Sequence, residues 1–161
     1  GQILAVPVHV SGVTGRNVLR STSVERRLVN GVRGSLKNTD DEWTFWKKND
    51  SIAVTIDVGA RKRLGKVTLG YLNHFGLGIH KPQRVEVWLS DNDVHYWKAT
   101  EQTFGTDEIF AEGRFTEEME FIFKDVARYV RVIMKGAGKC PEHHVRPGLE
   151  TQIYLDEVLI E

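Results

Sequence analysis

The sequence lacks most of the features that would place it in an obvious class. It has one cysteine, Cys140, which excludes an intrachain disulfide without fixing the compartment. No run approaches the roughly 18 apolar residues that a membrane-spanning helix needs, so no membrane span is expected. Residues 1–7 lack the charged lead and apolar run of a signal peptide. Charge of one sign is missing too, because 22 Lys and Arg balance 22 Asp and Glu. Nucleic-acid-binding domains usually carry a basic surplus, so no nucleic-acid partner is expected. The balance is uneven along the chain: residues 1–39 are basic apart from Glu25, and residues 101–120 are rich in carboxylates. Proline is scarce, and no tract rich in Pro, Gly and Ser divides the chain. Helical periodicity is never sustained over three turns; 24–29 could make one short helical turn.

What remains is a single-domain composition. The chain has 161 residues, 40% apolar and 27% charged, which is too short for two well-packed domains and is neither disordered nor fibrous. Folding a chain of this length removes roughly 69% of its surface from water, enough for one core without staples. We expect one domain over 1–161; a chain that starts at Gly1 without Met reads as mature or as a piece excised from a longer protein.

Strand signals dominate. In 52–58, Val54, Ile56 and Val58 share one face, the period-two pattern of a half-buried strand. The pattern returns in 67–71, 85–89, 119–123, 129–134 and 153–160. Asn30-Gly31, Gly76-Leu77-Gly78 and Asp91-Asn92-Asp93 read as turns between the runs. Many short strands with few helices predict an all-β antiparallel sandwich or barrel.

Two long connections, 73–82 and 136–148, each combine His, a cation and Gly. Loops on a rigid scaffold are where binding residues concentrate, and five of the six histidines lie in or near these two if His95 is counted.

Catalytic signatures are missing. There is no His-Glu-x-x-His zinc motif and no Gly-x-Ser-x-Gly nucleophile elbow. Residues 59–66 superficially resemble a phosphate loop, but the glycine spacing is wrong and Val67 stands where Ser or Thr would bind magnesium. A strand-to-strand turn exposing Arg61-Lys62-Arg63 is the simpler reading. Cys140, His143 and His144 are soft zinc ligands without an evident fourth, so a buried thiol beside loop histidines is preferred. Paired carboxylates such as Glu117-Glu118 read as solvated rather than poised across a cleft. No enzymatic activity is expected of this chain.

Five segments in order carry a family resemblance: Leu28-Val29-Asn30-Gly31, then Trp43, then 54–59, then 82–90 ending Trp88-Leu89-Ser90, then 127–132 (Ala-Arg-Tyr-Val-Arg-Val) with Asp156-Glu157-Val158 closing. Together they resemble discoidin-like domains, also called coagulation-factor C-type domains or family-32 carbohydrate-binding modules. Gly31-Val32-Arg33-Gly34-Ser35 and Gly138-Lys139-Cys140-Pro141 are closest to the C-terminal domain of bacterial chitobiases, the family-20 β-N-acetylhexosaminidases.

The resemblance implies a jelly-roll sandwich of two antiparallel sheets with its termini close together. It implies a monomeric, secreted, periplasmic or cell-surface accessory module from the C-terminal end of a larger protein, attached in cis to a parent catalytic domain and binding carbohydrate. Galactose- or N-acetylhexosamine-type sugars would be held by end loops. Phe75 would stack on the sugar, with Trp46 and Trp97 as alternative platforms. His74, His80, His143, His144 and Arg146 would bond its hydroxyls. The family's structural calcium would fall to Asn30, Asp40, Asp41 and Glu157, with Asn30 weakening the site because it replaces a carboxylate. The alternative is a structural module that packs on the parent domain and binds no glycan.

Overall fold

A computed structural model of the chain describes residues 8–11, 36, 44–46 and 51–161. Among these, the chain forms strands β1 (Val8–Ser11), β2 (Thr44–Trp46), β3 (Ile52–His74), β4 (Arg84–Ser90) and β5 (Tyr96–Thr103). A single helical turn, α1 (Thr106–Ile109), precedes the long β6 (Arg114–Lys135) and the closing β7 (Ile153–Ile160). Every strand pairing is antiparallel. The order across the sheet is β2-β7-β3-β6-β4-β5, with β1 beside the first half of β3.

The architecture turns on β3 and β6, which run together and bend together. Their ladder slips between Asp57 and Lys62 and again between Leu64 and Lys66. Such bulges bend a strand and increase its twist. Gly59, at φ 90°, occupies backbone space that other residues avoid. On one side of the bend, β1, β3, β6, β4 and β5 form one layer; on the other, β2, β7, β3 and β6 form the second. Ile52, Val54 and Ile56 from the first half of β3 share one continuous core with Val67, Leu69 and Tyr71 from the second half. The two layers therefore face each other as a sandwich. Each large side chain removed from water there contributes roughly 1.5–3 kcal/mol.

This all-β sandwich agrees with the fold expected from the sequence. Three local expectations are corrected. The runs 52–58 and 67–71 belong to one strand, as do 119–123 and 129–134, because the bulged corner keeps hydrogen bonding through the bend. Residues 59–66 are accordingly a strand corner and not a simple turn, although Arg61-Lys62-Arg63 is exposed as expected. β5 was not expected at all. The candidate helical turn at 24–29 and the Asn30-Gly31 turn lie outside the described residues.

The bend decides where the loops emerge. Ile52 pairs with Met134, and His74 pairs with Arg114, so both ends of β3 and both ends of β6 gather at one end of the sandwich. β4 begins there opposite Lys135, and β7 begins there with Ile153 opposite Trp46. The corner, the 91–95 turn and Glu161 occupy the other end. Arg61 reaches Asp91 at 3.1 Å across that far end.

Candidate functional site

Both singled-out connections meet at the loop end. The first makes a 3-10 turn at Phe75–Leu77 and closes on Gly78, whose φ of 71° is left-handed. Backbone bonds tie it to the second: Gln152 N donates to Gly78 O, and His80 N donates to Gln152 O, both at 3.0 Å. The second connection is itself closed, with Cys140 N donating to Leu149 O at 2.8 Å and Gly148 N to Cys140 O at 2.9 Å.

A chain of side chains completes the tie. Asn73 donates both amide hydrogens, to Ala111 O and Gly113 O, each at 3.0 Å. That fixes its Oδ1 toward His80 Nδ1, 3.0 Å away. An amide oxygen only accepts, so His80 Nδ1 carries the proton and its Nε2 holds a lone pair. His144 Nε2, 3.0 Å from that lone pair, must be the donor. His144 Nδ1 is then an acceptor, and Arg146 N donates to it at 2.9 Å. Every role agrees, and the chain joins the strand end, the 110–113 segment and both loops.

Both imidazoles must be neutral for this to hold. His80 is fully buried, and burial, followed by the charge His144 would carry, pushes its pKa down to about 4. Burial also holds His144 below the ordinary histidine value, with His143 and Arg146 adding to the effect. The rings pack edge to face, 5.2 Å between centroids, with Phe110 beside His80 at 5.1 Å.

The remaining expected residues divide by exposure. Phe75 is half-buried, its ring 4.0 Å from that of His144, so the chain of histidines backs an aromatic ring at the rim. His74 is half-buried beside it, and its Nδ1 is shielded from water with no hydrogen-bond partner. Burial, then Arg114, lowers its pKa and keeps it neutral. His143 and Arg146 are exposed, and Arg146 Nε donates to Gly76 O at 2.6 Å. Trp46 lies at the loop end by register, opposite Ile153. Thus His143 and Arg146 are exposed and His74 and Phe75 are half-buried beside them, whereas His80 and His144 spend all their ring nitrogens inside the protein.

Two residues fall elsewhere. Trp97 packs against the main core and donates from Nε1 to Asp125 Oδ2 at 2.7 Å, which places it at the far end. His95 sits in the 91–95 turn, where Asn92 Oδ1 accepts from Val94 N and His95 N, both at 2.9 Å. It is not near the two loops.

Residues that sequence reasoning passed over also build this end. Asn73 and Phe110 hold the histidine chain. Lys81 is almost fully buried, 3.0 Å from Glu108 and 4.2 Å above the Phe104 ring, and so clamps α1 to the first loop. Arg114 bonds Leu36 O at 2.6 Å. Hydrogen bonding between residues so distant in sequence leaves no local pattern to read.

Of the expected calcium ligands, Asn30, Asp40 and Asp41 lie outside the described residues. Glu157 is buried on β7 opposite Gly70. Cys140 is buried, which raises its thiol pKa. Among the described residues, no three His, Cys, Asp or Glu side chains converge to hold a metal. No helix among them is long and apolar enough to cross a membrane.

No family model and no curated protein matches the chain. Solved structures do. The family-32 carbohydrate-binding module of AlyQ, in complex with 4,5-unsaturated mannuronic acid, superposes with a TM-score of 0.60 at 17% identity, covering 100% of this chain and 98% of that one. Chitosan-binding module 1 of a chitosanase/glucanase from Paenibacillus sp. IK-5 gives 0.62 at 13% identity, covering 99% and 96%. A family-32 module of a Clostridium perfringens family-89 protein, in complex with GalNAc-β-1,3-galactose, gives 0.62 at 11% identity, covering 99% of each. At these identities the likeness is one of architecture, and the chain has the discoidin-like β-sandwich fold of the family-32 carbohydrate-binding modules.

Proposed function

We propose that this domain is a noncatalytic carbohydrate-binding module that takes a terminal sugar at its loop end. One observation carries the reading: the Phe75 ring stands at the rim, backed at 4.0 Å by His144, on two loops locked together from beneath. A ring held in this way loses little freedom on stacking against a sugar face, and preorganisation reduces the cost of binding. His74, His143 and Arg146 supply hydrogen bonding around it, and Trp46 borders the site by register. His80 and His144 act as the frame. The solved structures with this fold that hold mannuronate, chitosan oligomers or GalNAc-galactose support the same general use.

One ring and a few polar groups at an open surface imply affinity on the order of 0.1–1 mM. Galactose- and N-acetylhexosamine-type sugars are the first class to test, and a chitobiase-like glycan-degrading enzyme is the parent we favour. The reading carries with it a secreted, periplasmic or cell-surface setting. A calcium ion held by Glu157 with Asn30, Asp40 and Asp41 would stiffen the sandwich; calcium should then raise the melting temperature, and the Glu157→Gln variant should lose that response. Calorimetric titration with the sugar panel tests the main proposal. Binding that Phe75→Ala weakens at least tenfold supports it; titrations silent across the panel sink it.

The exposed Val145 and Leu149 on the second loop favour a second reading, in which this end packs on the parent catalytic domain. On that reading the panel is silent and the separate catalytic domain binds this one.

A further inference from the structure

We infer that the sugar taken at the loop end is acidic, carrying a carboxylate or sulfate that Arg114 and Arg146 grip from either side of Phe75. The inference rests on the carbohydrate-binding reading and adds the chemical class of its ligand.

Arg114 sits directly across the ladder from His74. Arg146 touches the same short segment from the other loop through Gly76 O. The two cations therefore bracket residues 74–76, and Phe75 N is itself anchored on Gly113 O, next to Arg114. Each guanidinium is oriented in the same manner: Nε donates to a backbone carbonyl, that of Leu36 for Arg114 and that of Gly76 for Arg146, both at 2.6 Å. An arginine so held keeps the N–H groups of its two terminal nitrogens, the fork that matches a carboxylate or sulfate. Among the described residues neither guanidinium forms an ion pair, although Glu112, Glu142 and Glu150 are exposed on the neighbouring loops.

Other arginines of the domain are used differently. Arg128 grips Asp57 through Nε and a terminal nitrogen, both at 2.9 Å, and Arg84 is shared between Glu86 and Glu101. Those forks are filled by the protein's own carboxylates. Among the described residues the forks at the loop end are not, and they lie on either side of the 74–76 segment that carries Phe75. His74 and His144 are held neutral, so beside them the positive charge comes from Arg114 and Arg146. A neutral sugar would use their hydrogen-bonding capacity but not their charge.

The test compares pairs in which the same sugar carries or lacks the acidic charge: trigalacturonate against its methyl ester, galactose 6-sulfate against galactose, and sialyllactose against its methyl ester. Exposed ion pairs are individually weak, so each arginine should favour the acid up to about fivefold in low salt. We expect at least one pair to show an acid-over-neutral affinity ratio of roughly fivefold or more, shrinking as salt is raised. In Arg114→Gln and Arg146→Gln the ratio should fall, and in the double variant it should approach one. Lys62→Gln, at the far end, should leave it intact. Thermal melts confirm that the variants are folded.

A ratio near one in all three pairs, with binding retained, overturns the acidic class and leaves carbohydrate binding standing. A ratio that survives the double variant overturns the assignment to these arginines. No binding by any of the six sugars overturns the carbohydrate reading and this inference with it.

Discussion

Acidification should loosen the loop end, and its size follows from the histidine chain. His80 titrates near 6.5 in the unfolded chain and at about 4 in the folded protein. Between those values the unfolded state binds more protons, so stability falls as pH falls. The full gap corresponds to about 3 kcal/mol. A little over half of it, about 2 kcal/mol, should be lost between pH 7 and pH 5. His144, also lowered, acts in the same direction. For a domain of this length that is a drop of roughly 4–8 °C in melting temperature. The mechanism is local: a proton on His80 Nε2 sets it against the N–H of His144 Nε2, and a proton on His144 Nδ1 sets it against the Arg146 backbone N–H. Lys81, Arg146 and His143 nearby add positive charge that opposes protonation further, whereas Glu108 is occupied by Lys81. Thermal melts from pH 7 to pH 5 on the wild type and His80→Gln provide the assay. The variant should be less stable at pH 7 and should lose less on acidification. A wild-type melting temperature unchanged over this range, or an equal decline in the variant, would refute the reasoning.

Three further outcomes follow from the same geometry. Gly78→Ala should cost about 1–2 kcal/mol, because φ is left-handed and a Cβ there would sit 3.0 Å from Leu149 Cδ2; chemical denaturation reads the loss. Glu108→Gln should destabilise more than Lys81→Met, because the first strands a buried cation whereas the second keeps the apolar stem over Phe104; comparing the two denaturation midpoints decides it. Asp57→Asn should cost up to about 1 kcal/mol by weakening the Arg128 fork, and should leave sugar affinity unchanged because it lies at the far end.

The sandwich was legible because its core strands alternate cleanly; Val54, Ile56, Val130 and Val132 all point into the core. β5 escaped because an edge strand packed on one side needs little apolar alternation. Its sequence, Tyr-Trp-Lys-Ala-Thr-Glu-Gln-Thr, is mostly polar, and its ladder with β4 slips between Val87 and Trp88. The long strands were read as fragments because the bend at 58–65 interrupts the period. At the loop end, the positions of His80 and His144 were legible as loop histidines, but their burial was not. Sixty-four residues separate the two, and only the fold-over of β3 and β6 brings their rings within hydrogen-bonding distance. Arg114 was missed because nothing near Gly113 marks a binding residue; its place opposite His74 is a matter of register alone.

Backbone chemical-shift mapping during a titration with the acidic and neutral sugar pairs tests the central claim most directly. Perturbations should concentrate in 73–82, 110–114 and 136–152 and spare the corner at 58–65 and the 91–95 turn. Perturbations centred on that far end, or a spectrum unmoved by every sugar, would contradict it.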